Sequence, residues 1–137
     1  MTMDPTMRAL PLRIPAGADL RAALAAIPAA HGAAAAFVVQ GIGSLSVARI
    51  RYAGVAGLAE LRGDLELLSL GGSLAPDGVH LHLSVADAHG RVTGGHMGPG
   101  CIVRTTAEVL VALLPGHRFS REHDAATGFL ELRVDQD

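Results

Sequence analysis

The stretch from Val79 to His96 constrains this chain more than any other, because its side-chain pattern fits one local geometry, a β-hairpin. In His80-Leu-His-Leu-Ser-Val85 the strand period of two puts His80 and His82 on one face and Leu81, Leu83 and Val85 on the other. The turn Asp87-Ala-His-Gly90 starts with an acidic residue and ends with glycine, which suits a three-residue loop: a type I turn followed by a left-handed glycine bulge. Asp87 then pairs with Arg91, and counting back along both strands sets His82 opposite His96, with β-carbons about 5 Å apart. A two-residue loop pairing Asp87 with Gly90 would instead set His82 opposite Gly95 and turn His96 to the other face, unless Gly94-Gly95 bulges.

The rest of the chain reads as further strands with one helix. Residues 1–7 carry no periodicity and read as a loose leader, and residues 8–137 as a single domain, the usual size for one core. Arg8 to Ile14 alternates as a first strand. Asp19 can cap a helix whose buried face is Leu20, Leu24 and Ile27, and Pro28 predicts that it kinks or ends before Gly32. Residues 34–39 and 46–52 read as two strands joined by a tight turn at Gly41-Ile-Gly43-Ser44. A phosphate loop there is disfavoured, because no third glycine opens a helix.

Residues 64–70 form the next predicted strand, closed by Gly71-Gly72, and Pro76-Asp77-Gly78 is a turn. Residues 101–114 suit a strand better than a short helix, and residues 127–134 form a last strand with Leu130, Leu132 and Val134 facing inward. The expectation is an α+β fold, an antiparallel β-sheet with a packed N-terminal helix.

Composition excludes several functions. The chain has no Lys, its eleven Arg are scattered without a basic run, and the net charge is −2. Phosphate-backbone binding needs clustered positive charge, and single-strand binding needs aromatic platforms, of which one Tyr, three Phe and no Trp are a poor supply. Direct DNA binding is therefore doubtful. One cysteine, Cys101, cannot form an internal disulfide and reads as a small buried hydrophobe. Without a signal-peptide pattern or an apolar run of about twenty residues, the expected location is cytoplasmic, away from membranes.

Chemistry concentrates on His80, His82 and His96. Three neutral imidazoles on rigid strands suit a divalent ion, zinc foremost, with an open fourth position for water or a ligand. The same histidines could instead face a subunit interface or sit hydrogen-bonded in a groove. No carboxylate is fixed beside them by local spacing, and Glu108 is the best candidate from elsewhere. His89 lies at a turn tip, His31 at the helix end, and His117 and His123 in segments that read as polar loops. No nucleotide cofactor is expected.

Gly41-Ile-Gly-Ser44, Gly63-Asp-Leu-Glu-Leu-Leu68, His80-Leu-His82, Gly90-Arg-Val-Thr-Gly-Gly-His96, Glu108-Val109 and Thr127-Gly128-Phe129, in this order and spacing, resemble the plant and prokaryote conserved (PPC) domain from about Leu10 to Val134. The resemblance implies an antiparallel sheet with a packed helix, a homotrimer, and a metal at the His-x-His and Gly-Gly-His positions. Plant members contact DNA through a separate Arg-Gly-Arg-Pro hook, absent from this sequence, and prokaryotic members are named DNA-binding proteins after those relatives. A plant partner-contact segment, Gly-Arg-Phe-Glu-Ile-Leu, corresponds to Gly63, Asp64, Leu65, Glu66, Leu67 and Leu68.

Overall fold

The computed structural model describes residues 6–137, so most of the expected leader lies outside the described residues. Among the described residues, eight strands and two short helices follow one another: β1 (Arg8–Pro15), α1 (Leu20–Ala25), α2 (Ile27–Ala30), β2 (Ala36–Arg51), β3 (Ala59–Ala75), β4 (Gly78–Ala86), β5 (Val92–Met97), β6 (Ile102–Leu113), β7 (His117–Asp124) and β8 (Phe129–Gln136). Six strands form one antiparallel sheet in the order β1-β6-β2-β3-β4-β5, and β7-β8 form a separate ribbon.

The end of β2 turns back to β5, pairing Ile50 with Met97 and Arg51 with His96. The β2-β3-β4-β5 portion thereby curls on itself. Its concave side is filled by Leu45, Ile50, Leu70, Leu74, Leu81, Leu83 and Val85. Leu20 and Leu24 of α1 close the core from one end, both fully buried. The Asp19 carboxylate fixes that helix start twice over, accepting from the Ala22 N–H at 3.0 Å and from the Gly100 N–H at 2.8 Å. The helix breaks at Ala26, and Pro28 sits in the first turn of α2, where its missing N–H costs nothing.

Two predicted breaks are absent. The Gly41-Ile-Gly43-Ser44 segment is no turn: β2 runs straight through it and absorbs the glycines as bulges against β6, with register shifts between Val38 and Gln40, Gly43 and Leu45, and Leu45 and Val47. Gly43 holds φ 145° where a Cβ would collide with the Thr106 carbonyl oxygen of β6, so glycine serves close backbone approach. Gly71-Gly72 likewise lies inside β3, paired to β4, and closes nothing.

His117 and His123 belong to β7 and are not in loops; pairing with β8 overrides the weak strand preference of His117-Arg-Phe-Ser-Arg-Glu-His-Asp124. Phe119 anchors this ribbon by packing on Ala35 and Ala75 and meeting Phe37 edge-on at 6.2 Å. Of the inward face expected in the last strand, only Leu132 is half covered, while Leu130 and Val134 are exposed. The sheet dominates and the helical part, six and four residues, is smaller than the α+β reading implied.

Candidate metal centre

The turn that decides the site has the three-residue form. The Gly90 N–H donates to the Asp87 carbonyl at 2.9 Å, the Asp87 N–H donates to the Arg91 carbonyl at 3.0 Å, and Gly90 holds φ 76°. The Asp87 carboxylate secures the loop by accepting from the backbone of His89 at 2.8 Å and Arg91 at 3.0 Å, bonds that hold its carboxyl below the usual range. The register follows: Ala86 pairs with Val92, Ser84 with Gly94, and His82 with His96.

His80, His82 and His96 accordingly share one surface, with one ring nitrogen of each inside a 4.8 Å span. His82 Nε2 lies 3.1 Å from His80 Nε2 and 3.2 Å from His96 Nδ1. The His80 and His96 rings are 21° from parallel, and each stands nearly perpendicular to His82. Hydrogen bonding alone does not satisfy this arrangement. A neutral imidazole nitrogen offers either one hydrogen or one lone pair, so His82 Nε2 cannot serve two nitrogen neighbours with good geometry. A shared cation removes the conflict, because all three nitrogens then present lone pairs to one point. Tetrahedral zinc with Zn–N bonds of about 2.1 Å sets its nitrogens about 3.4 Å apart, close to the two short separations, while the outer pair, within the 4.8 Å span, must draw together to share the ion. The residues therefore fit a divalent ion.

Electrostatics also favour the neutral, ligating form. His80 and His96 have pKa values below the ordinary histidine value, and withdrawal from water is the first cause for each. The charges of His82, Arg121 and Arg51 lower His80 further, while Glu131 opposes them. Arg51, His82 and His80 act in the same lowering sense on His96.

The expected nearby carboxylate is elsewhere. Glu108 lies on β6, separated from β4 by β2 and β3, and lines a different groove with Pro11, Arg13 and Ile42. Glu131 on β8 is the carboxylate whose charge reaches His80. The segment from Gly63 to Leu68 lies in β3, where Leu65 and Leu67 are buried, Leu68 is exposed, and Asp64 pairs with Arg104 at 2.9 Å. Cys101 is buried, its thiol pushed up by burial and donating to the carbonyls of Arg49 and Gly98. His89 is exposed at the turn tip and His31 follows α2.

Sequence reasoning missed the surroundings of the histidines. Beside them an open groove of about 790 Å³ is lined by Phe37, Val39, Gln40, Gly71, Ser73 and Leu132. Arg51 reaches the site only because β2 returns to β5, a long-range pairing without a local signal.

The sequence profile of the Plants and Prokaryotes Conserved (PCC) domain matches residues 1–115. The chain belongs to this family. A hypothetical protein from Salmonella enterica has the same fold at 38% identity and TM-score 0.93, with 98% of this chain and 97% of that one covered. The plant- and prokaryote-conserved protein of Pyrococcus horikoshii matches at 28% identity and TM-score 0.79, covering 97% and 98%. A metal-containing protein of Archaeoglobus fulgidus matches at 25% identity and TM-score 0.76, covering 97% and 99%. Among curated proteins, the bifunctional protein GlmU of a Synechococcus strain is 48% identical over 94% of this chain. The chain spans about one fifth of the length of that relative, 20%. Among the described residues, no helix is long and apolar enough to cross a membrane.

Proposed function

We propose that this chain is a metal-holding oligomeric module in which His80, His82 and His96 bind one divalent ion, zinc foremost, that faces the adjoining groove. The observation that carries this reading is the convergence of three nitrogens around His82 Nε2, which hydrogen bonding cannot satisfy. The metal-containing relative from Archaeoglobus fulgidus supports it. Such an ion would supply Lewis acidity at an open coordination position. The chain's own residues hold the site rigid and keep two imidazoles neutral.

The module acts as a homotrimer in this reading. Support comes from the exposed apolar residues Ile42, Leu68 and Leu110 on the outer sheet face, side chains that a subunit interface would cover. The match to one fifth of a longer bifunctional chain supports an accessory, regulatory role. A small-molecule sensor or metal-dependent enzyme is the second reading, favoured by the groove that adjoins the histidines. Direct DNA contact is not favoured, because Arg49, Arg62, Arg91, Arg104, Arg118 and Arg133 each have an acidic partner.

Elemental analysis of the purified chain beside a His80→Ala/His82→Ala/His96→Ala variant tests the proposal. About one divalent ion per chain is expected in the first and none in the second. No metal in either, or equal metal in both, would retire it.

A further inference from the structure

The groove beside the histidines has a chemistry of its own, and the inference drawn from it rests on the metal reading above. One end is charged. Arg51 faces His96 in the β2-β5 register, and Arg121 of β7 lays its stem over Gly78, two residues before His80. Glu131 is the opposing carboxylate, so the charges of two arginines and one glutamate reach His80; Arg121 also donates to the Leu130 carbonyl at 2.8 Å and Arg51 to the Val55 carbonyl at 3.4 Å, each through one guanidinium nitrogen. The remainder is apolar, with Phe37 and Val39 of β2 and Leu132 of β8 along its walls.

Polar side chains in the walls are few: Gln40, Ser69 and Ser73 beside the histidines. At the β2 bulge the Gln40 Oε1 accepts from the N–H of Gly41 at 2.9 Å and of Leu70 at 3.0 Å. That fixes which way the amide faces, and among the described residues no acceptor meets its Nε2. Ser69 is already engaged with Ser84.

Gly71 keeps the space open. It pairs with His82, and a Cβ there would meet only the Val38 carbonyl oxygen at 3.6 Å, an ordinary contact. The backbone therefore tolerates a side chain at this position, and its absence leaves room beside His82. A groove with one cationic end, a positioned amide donor and apolar walls suits an amphipathic anion.

We propose that the groove binds a small organic acid, with its carboxylate at the histidine end near Arg51 and Arg121 and its hydrocarbon body along Phe37 and Val39 toward Leu132. A nucleotide or sugar would leave most of its polar groups unpaired against these walls.

The test uses the full chain loaded with zinc, its content first measured by elemental analysis, and calorimetric titration with acetate, butanoate, hexanoate and octanoate. Hexylamine serves as the charge-reversed control. Affinity is expected to rise about fourfold per added methylene until the groove is filled. Hexanoate should exceed hexylamine at least about tenfold. Arg51→Gln and Arg121→Gln should each weaken hexanoate by about tenfold while zinc content is unchanged. Gly71→Leu should abolish the chain-length dependence, again with zinc retained. Hexanoate binding no better than hexylamine, or undiminished chain-length dependence in Gly71→Leu, overturns the proposal while leaving the metal reading standing. A chain that takes up no zinc overturns the metal reading itself, and the elemental analysis reveals this before any acid is added.

Discussion

At His82 the two ring nitrogens nearest to Nε2 compete for a single hydrogen or lone pair, at 3.1 and 3.2 Å. In metal-free protein the titration of this cluster should therefore be visible. His80 and His96 have lowered pKa values when folded, so the unfolded chain binds protons first as pH falls. Their contribution to stability is present above the unfolded value of about 6.5 and is lost as pH drops through it toward the lower folded values. In chelator-treated protein the melting temperature is expected to fall between about pH 7 and 5, and a His80→Gln/His96→Gln variant should flatten that slope. An unchanged slope would remove this account of the cluster. The Asp87 carboxyl titrates below this window, because backbone N–H groups hold its pKa down.

Glycine positions give a second prediction at the residue scale. Gly72 holds φ 147°, and a Cβ there would collide with the His80 carbonyl oxygen. Gly72→Ala should destabilise the chain by about 2 kcal/mol or more, measured by urea denaturation, because both backbone strain and displacement of β4 oppose it. The neighbouring Gly71→Ala, with only an ordinary contact at 3.6 Å, should cost much less.

At the scale of elements, the hairpin was legible because its determinants are local. Alternation in His80-Leu-His-Leu fixes the face within a short span of chain, while the loop of Asp87 to Gly90 left two registers open until the Asp87 to Arg91 pairing chose the one that sets His82 opposite His96. Gly90 holds φ 76° with open space where a Cβ would stand, so Gly90→Ala should cost about 1 kcal/mol of backbone strain without shifting the His82 to His96 pairing. Thermal denaturation measures the cost, and retained zinc stoichiometry reports the register. The helix start was equally legible through Asp19, and its break near Pro28 likewise. The glycines of β2 and β3 were misread as turn signals. Gly43 and Gly72 instead allow close backbone approach of β6 and β4, pairings whose partner segments the local sequence does not name.

At the scale of the whole molecule, assembly is the open test. Ile42 and Leu110 stand exposed on the outer sheet face, 48% and 41% accessible. Light scattering is expected to give a mass near three chains of 14.0 kDa, and Ile42→Arg/Leu110→Arg should shift it to one chain. Retention of the larger mass by that variant would move the interface elsewhere. The arginines mostly carry acidic partners, so added DNA should produce no mobility shift at micromolar protein, whatever the salt.

The amino-acid sequence by itself determined the hairpin, the shared face of His80 and His82, the capped helix start and the family resemblance, because each rests on neighbours in the chain. Tertiary structure alone decided the setting of the histidines. The return of β2 to β5 puts Arg51 beside His96, the β7-β8 ribbon brings Arg121 and Leu132 toward the groove, and the β6-β2-β3 order keeps Glu108 away. The physical reason is that strand pairing is set by burial summed over the sheet, and no short stretch of sequence records which distant strand will lie beside it.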